Sequence, residues 1–178
     1  TTAGADAADD VVIRGLEITG YVSPDRCGDY YPTCGDEPIR GGAIFPHNHW
    51  NQSQQPWVPD LELSSNDWVV ENNVIRGNQG TAVSVSNGMI VRDNLIAENS
   101  VLGVGGGTVI DVVVEGNEFR DNSIDPGIDP LQEAGALKLG AARGLRLAGN
   151  VVVGGGGPGL WCDIDCQDVV IEGNDISG

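Results

Sequence analysis

One lysine, one tryptophan and three carboxylates stand in two short stretches toward the end of this 178-residue chain: Glu133 with Lys138, and Trp161 with Asp163 and Asp165. These residue types can do definite chemistry. A lysine held near acidic groups clamps an acidic sugar, or acts as a base where its pKa has been lowered; paired carboxylates serve as acid and base in glycoside cleavage or bind Ca²⁺. Trp161 would supply a stacking platform for a sugar ring. Further substrate-binding candidates, Phe45, His47, His49 and Trp50, lie in a long stretch that also holds several Asn and Gln residues, the kind of loop on which a rigid scaffold usually carries its binding residues. A loop histidine pair is more often solvated than metal-bound. The bland reading of the first group is an exposed ion pair over a surface tryptophan, worth about 0–1 kcal/mol. An outward Trp and two outward Asp in one strand are costly to explain as core packing, which favours a site.

The elements that must position these residues follow from a repeat. An apolar triplet, a turn pair, Asn and a second apolar step recur as VVENNVI around Asn73, IVRDNLI around Asn94, VVVEGNEF around Asn117, LRLAGNVV around Asn150 and VVIEGNDI around Asn174. The Asn spacings are 21, 23, 33 and 24 residues, so one unit repeats and its length drift is confined to loops. The triplets are β-branched or apolar runs bounded by Gly, Asn and Asp, the pattern of short strands. Each turn pair suits a positive φ, and the following amide can satisfy turn backbone groups in the neighbouring coil, so the amides of Asn94, Asn117 and Asn150 should stack. A second strand follows each unit, as in Ala136–Leu139 and Gly159–Asp165.

These features predict an all-β, right-handed parallel β-helix, a solenoid of five coils and a partial sixth, in one domain over residues 1–178 with loop insertions at about 21–67 and 124–133. Val11–Ile18 and Gly42–Ile44 fit the frame as an earlier coil. A sandwich of hairpins is the alternative, but it does not require one repeated amide position. The expected inward set is Val83, Val85, Val104, Val112, Val114, Leu137, Leu139, Leu147, Leu160, Ile164, Val169 and Ile171. Alternation then turns Trp161, Asp163 and Asp165 outward. Matching Leu137 and Leu139 to Leu160 and Cys162 sets Lys138 beside Trp161, within reach of Asp163 across a strand spacing of about 4.8 Å. Ser84, Gly105 and Phe45 continue the Lys138 column. The sixth coil is expected to stop after its first strand, an edge that a longer chain or end-to-end stacking would cover.

Charge excludes a partner class. With 26 Asp and Glu against 9 Lys and Arg, the net charge of −17 repels a phosphate backbone, and nucleic acid is not expected. Asp-rich, Lys-poor balance suits salt-rich surroundings, and equally an acidic secreted surface. No stretch has the apolar length of a membrane span, and residues 1–10 lack the pattern of a signal peptide. Cys27 and Cys34 bracket a short loop and are expected to form a disulfide in an oxidising compartment. Cys162 and Cys166 would lie about 13 Å apart in an extended strand, so their bonding requires a bend near Ile164 or Asp165. Neither spacing matches a zinc knuckle.

The run Glu133–Lys138, then Arg143–Leu145 and Gly149–Val151, then Gly157-Pro158-Gly159-Leu160-Trp161-Cys162-Asp163-Ile164-Asp165 resembles bacterial right-handed parallel β-helix repeat proteins of the pectate-lyase-like superfamily. The resemblance covers nearly the whole chain from Val11 onward, with GPGLW and the following Asp pair its most specific part. The stretch from Tyr21 to Asp67 departs from it, as do Cys162 and Cys166 at positions usually polar. It implies an extracellular protein acting on a polysaccharide, as lyase or glycoside hydrolase, or a non-catalytic module for glycan binding, adhesion or assembly. In the lyase version Lys138 would be base or charge neutraliser, with Asp163 and Asp165 holding Ca²⁺ against a uronate. The hydrolase version would use the carboxylates directly. Fold alone does not choose among these.

Overall fold

The computed structural model describes residues 8–22, 42–46, 58–127, 129–131 and 133–178. Among them the regular structure is all strand. The first turn carries β1 (Val12–Arg14), β2 (Glu17–Thr19) and β3 (Gly42–Ile44), and the second β4 (Val69–Glu71), β5 (Val74–Arg76) and β6 (Thr81–Ser84). The third carries β7 (Ile90–Arg92), β8 (Leu95–Ala97) and β9 (Leu102–Gly107). The fourth carries β10 (Val113–Glu115), β11 (Glu118–Arg120) and β12 (Gly135–Gly140), and the fifth β13 (Arg146–Ala148), β14 (Val151–Val153) and β15 (Leu160–Asp163). A sixth turn adds β16 (Val170–Glu172) and β17 (Asp175–Ser177). Each strand pairs in parallel with its counterpart one turn away, giving sheet A (β1-β4-β7-β10-β13-β16), sheet B (β2-β5-β8-β11-β14-β17) and sheet C (β3-β6-β9-β12-β15). The chain is a parallel β-helix. No helix among the described residues is long and apolar enough to cross a membrane.

Two expectations are corrected here. Each turn has three strands rather than two, because the apolar step after each Asn is a strand of its own in sheet B. The sixth turn likewise carries two strands rather than one. The reason is the corner between sheets A and B: Asn72, Asp93, Gly116, Gly149 and Gly173 all sit there with φ between 54° and 63°, which ends one strand and re-aims the next within two residues. A second positive-φ column runs through Asp67, Gly88, Asp111, Gly144 and Asp168, and a third through Gly77, Glu98, Asp121 and Gly154. Asp and Asn occupy many of these places because their short polar side chains tolerate the left-handed region better than other residues with a Cβ.

The amide following the first corner stacks as expected. Asn73 Nδ2 donates to Asn94 Oδ1 at 3.0 Å, Asn94 to Asn117 at 2.9 Å, Asn117 to Asn150 at 3.1 Å and Asn150 to Asn174 at 2.9 Å. Each Oδ1 also accepts the backbone N–H of the preceding Asn, as when Asn94 N donates to Asn117 Oδ1 at 3.0 Å. A parallel ladder, not foreseen, joins Asn78, Asn99 and Asn122 at 3.0 and 2.9 Å. Its members each follow the first ladder by five residues.

The core is a set of inward columns. Val70, Val91, Val114 and Leu147 stack in sheet A, Ile75, Ile96, Phe119 and Val152 in sheet B, and Val83, Val104 and Leu137 in sheet C, all essentially inaccessible. Of the expected inward set, Val85, Val112 and Leu139 are buried too, while Leu160 and Val169 pack against the core partly covered. Ile171 continues the Val114–Leu147 column in the last turn, where no further described coil covers it, and is 52% exposed. Ile164 does not point inward: it is 63% exposed, because β15 ends one residue earlier.

Candidate functional site

Sheet C positions the site. Leu137 and Leu139 face the core fully buried, so the intervening Lys138 must face outward. In register, Leu137 pairs with Leu160, Lys138 with Trp161, Leu139 with Cys162 and Gly140 with Asp163, the alignment read from the sequence. The approach to Trp161 is tightly constrained. A Cβ on Gly157 would lie 2.7 Å from Ala134 Cβ and one on Gly159 2.8 Å from Ile176 Cγ2, so the glycines of GPGLW let this segment lie directly on its neighbours. Gly135, at φ +123°, starts β12 where a Cβ would collide with the Pro158 carbonyl oxygen.

Among the described residues, Glu133, Asp163 and Trp161 converge on the Lys138 ammonium. Nζ donates to Glu133 Oε1 at 2.8 Å, lies 3.3 Å from Asp163 Oδ2 and sits 4.5 Å from the centroid of the Trp161 ring. The lysine side chain is 11% exposed, Glu133 32% and Asp163 28%. A cation over an indole face is attracted by the ring quadrupole, so the aromatic and the two carboxylates hold the same ammonium. Glu133 is placed by the end of the 124–133 insertion, where Ser123 Oγ accepts the Gly135 N–H at 2.6 Å and ties the insertion's exit to its entrance. Asp163 is oriented by its own backbone, its Oδ1 accepting the Ile164 N–H at 2.9 Å.

Burial is the largest single influence on Lys138 and favours the neutral amine, but the hydrogen bond and charge of Glu133, then those of Asp163, together outweigh it and hold the pKa above the ordinary 10.5. The lysine is thus an ammonium at neutral pH, fit for charge neutralisation rather than proton abstraction. Because the folded-state value is raised, the lysine's contribution to stability is fully present below the unfolded value of 10.5 and is lost as pH rises through the folded one. The stability difference between the protein and Lys138→Met, followed by urea unfolding at increasing pH, should therefore shrink above 10.5. A constant difference through that range would contradict the assignment.

The remaining candidates divide. Phe45 lies one residue beyond Ile44, which pairs with Val83, so it falls beside Ser84; Ser84 pairs with Gly105 and Gly105 with Lys138. The outward row Phe45, Ser84, Gly105, Lys138, Trp161 therefore spans four strand spacings, about 19 Å, with a 44% exposed Phe45 at one end. Asp165 does not join the row. It sits at φ +56° in the turn after β15, exposed, with its Oδ1 accepting from Gln167 Nε2 at 3.3 Å. Its departure has a covalent cause, for Cys162 and Cys166 are bonded with Cα atoms 6.3 Å apart, and the bend this requires falls at Asp165. Asp163 and Asp165, the pair expected to hold Ca²⁺, belong to no group of three or more His, Cys, Asp or Glu among the described residues. His47, His49 and Trp50 lie outside the described residues, as does the Cys27 and Cys34 pair.

A family model for the right-handed β-helix region matches residues 61–178, well over half of the chain. The chain belongs to that family, and the match takes in Glu133, Lys138, Trp161 and Asp163. Neither a curated protein nor a solved structure matches it.

Proposed function

We propose that the outer face of sheet C binds a glycan laid along the row from Phe45 to Trp161. The observation that carries this reading is the convergence of Trp161, Glu133 and Asp163 on one ammonium at the end of that row. An amphipathic sugar ring presents an apolar face to an aromatic and hydroxyls to carboxylate acceptors. The middle of the row is formed by Ser84 and by Gly105, the latter buried beside the Leu102 and Thr81 side chains. The glycan is neutral rather than a polyuronate. Lys138 already meets two carboxylates, so among the described residues the cluster carries more negative than positive charge, and a chain of net charge −17 repels a polyanion at long range. An extracellular setting accords with the Cys162–Cys166 disulfide.

Cleavage of the bound glycan is the second reading, favoured by two carboxylates meeting at one lysine. Hydrolysis would use Glu133 and Asp163 as acid and base, yet both carboxylates are engaged by one ammonium, Glu133 Oε1 at 2.8 Å and Asp163 Oδ2 at 3.3 Å, and neither is free to face a glycosidic oxygen or a water. We therefore rank binding above turnover. The test is a panel of neutral oligosaccharides and oligogalacturonides, scored for binding by Trp fluorescence and for turnover by new reducing ends and by the absorbance of unsaturated products. Binding of a neutral chain without turnover is the expected result. A preference for oligogalacturonide with unsaturated product would replace this reading with the lyase one.

A further inference from the structure

We infer that the Cys162–Cys166 disulfide is a positioning device for Asp163, keeping its carboxylate against Lys138. β15 is the outermost strand of sheet C, paired with β12 alone among the described strands. Asp163 is its last residue, opposite Gly140, which offers no side chain to pack against. The next residue, Ile164, is 63% exposed. An edge strand's terminal residue with no packing on either side is the kind of place that frays first.

What restrains it is local. The Ala141 N–H donates to Ile164 O at 2.7 Å and the Gln167 N–H to Ala142 O at 2.9 Å. Between those two tethers the chain reverses at Asp165, and the disulfide closes the reversal into a ring that encloses residues 163–165. Both half-cystines pack against the core, so the ring is anchored from below while the Asp163 carboxylate is turned toward Lys138. So short a ring removes little entropy from the unfolded chain compared with a long-range crosslink. Its main consequence is therefore geometric. Reduction by a dithiol, which becomes a cyclic disulfide as each cysteine sulfur gains a proton, opens the ring and frees the end of β15. This holds whether or not the face binds a glycan.

The chain's composition supplies the test, since Lys138 is its only lysine. Its rate of acetylation by an activated ester, read by peptide mass mapping of the segment that holds Lys138, reports how firmly the ammonium is held. In the disulfide-bonded protein Asp163→Asn should raise that rate by roughly three- to fivefold, the loss of one partly exposed charge partner. Cys162→Ser with Cys166→Ser, which leaves Cys27 and Cys34 untouched, should raise it by a similar factor, and adding Asp163→Asn to that background should raise it no further. Three results would overturn the inference: a wild-type rate in the cysteine variant with the Asp163→Asn effect intact, no Asp163→Asn effect in the bonded protein, or a parallel rise in Leu139 amide exchange, which would show the disulfide holding the whole of β12 rather than the carboxylate.

Discussion

Leu139→Ala should lower the unfolding free energy by about 2–5 kcal/mol. Leu139 is fully buried in the core and stacked between Gly106 and Cys162 in the sheet. Gly106 brings no side chain to the column, so on that side only Val85, whose methyl a Cβ at Gly106 would meet at 2.9 Å, could relax toward the space. The cavity term therefore adds to the lost transfer energy. Urea unfolding followed by far-ultraviolet circular dichroism measures the change. Because Lys138 is the neighbouring residue on the opposite face, the experiment also tests the alternation that places it: a loss below about 1 kcal/mol, the usual range of surface changes, would mean that the faces of β12 are reversed.

Asn117→Ala is the second large effect, expected at about 2–5 kcal/mol from several buried groups left unpaired at about 1–3 kcal/mol each, with partial relaxation. Asn117 Oδ1 accepts the Asn94 backbone N–H at 3.0 Å and Asn94 Nδ2 at 2.9 Å, while its own Nδ2 donates to Val91 O at 2.8 Å, Glu115 O at 3.1 Å and Asn150 Oδ1 at 3.1 Å. Alanine removes all five contacts at a site that water cannot reach, Asn117 being 1% exposed. Asn174 makes the same kind of contacts at the end of the ladder but is partly accessible. Water can replace its bonds, and Asn174→Ala should cost clearly less. Equal costs at the two positions, measured by the same unfolding assay, would show that the ladder's amides contribute only through local turn formation.

The ladder through Asn94, Asn117 and Asn150 was legible because the amide sits at one fixed place in every unit. Its companion through Asn78, Asn99 and Asn122 follows unlike residues, Gly77, Glu98 and Asp121, and lapses in the fifth turn, where Gly155 takes the place, so the pattern does not stand out. The Lys138–Trp161 register could be read because inward Leu137 and Leu139 have inward counterparts at Leu160 and Cys162. Ile164 and Asp165 broke the alternation because a disulfide pulled the chain out of the strand, and spacing alone does not say whether two cysteines bond. The acidic composition also has a structural component. Asp10, Asp67, Asp93, Asp111, Asp121, Asp165 and Asp168 all adopt positive φ, so part of the 17-residue aspartate content meets a backbone demand at the corners and is not evidence of a saline environment. Glu133 reaches Lys138 through an insertion whose course no periodicity predicts.

The most direct test of the glycan face is a fluorescence titration of the Asp163→Asn protein with the neutral oligosaccharide that the wild-type protein binds, run beside its urea unfolding curve. Asp163 is 28% exposed, so its substitution should change stability by about 1 kcal/mol or less, while removal of a charged acceptor from the cluster should weaken binding about tenfold or more, near the lower end of what a hydrogen bond to a charged group contributes. Binding as tight as in the wild-type protein would contradict a glycan site at this cluster, and a loss of stability as large as that of Leu139→Ala would make the carboxylate a structural group.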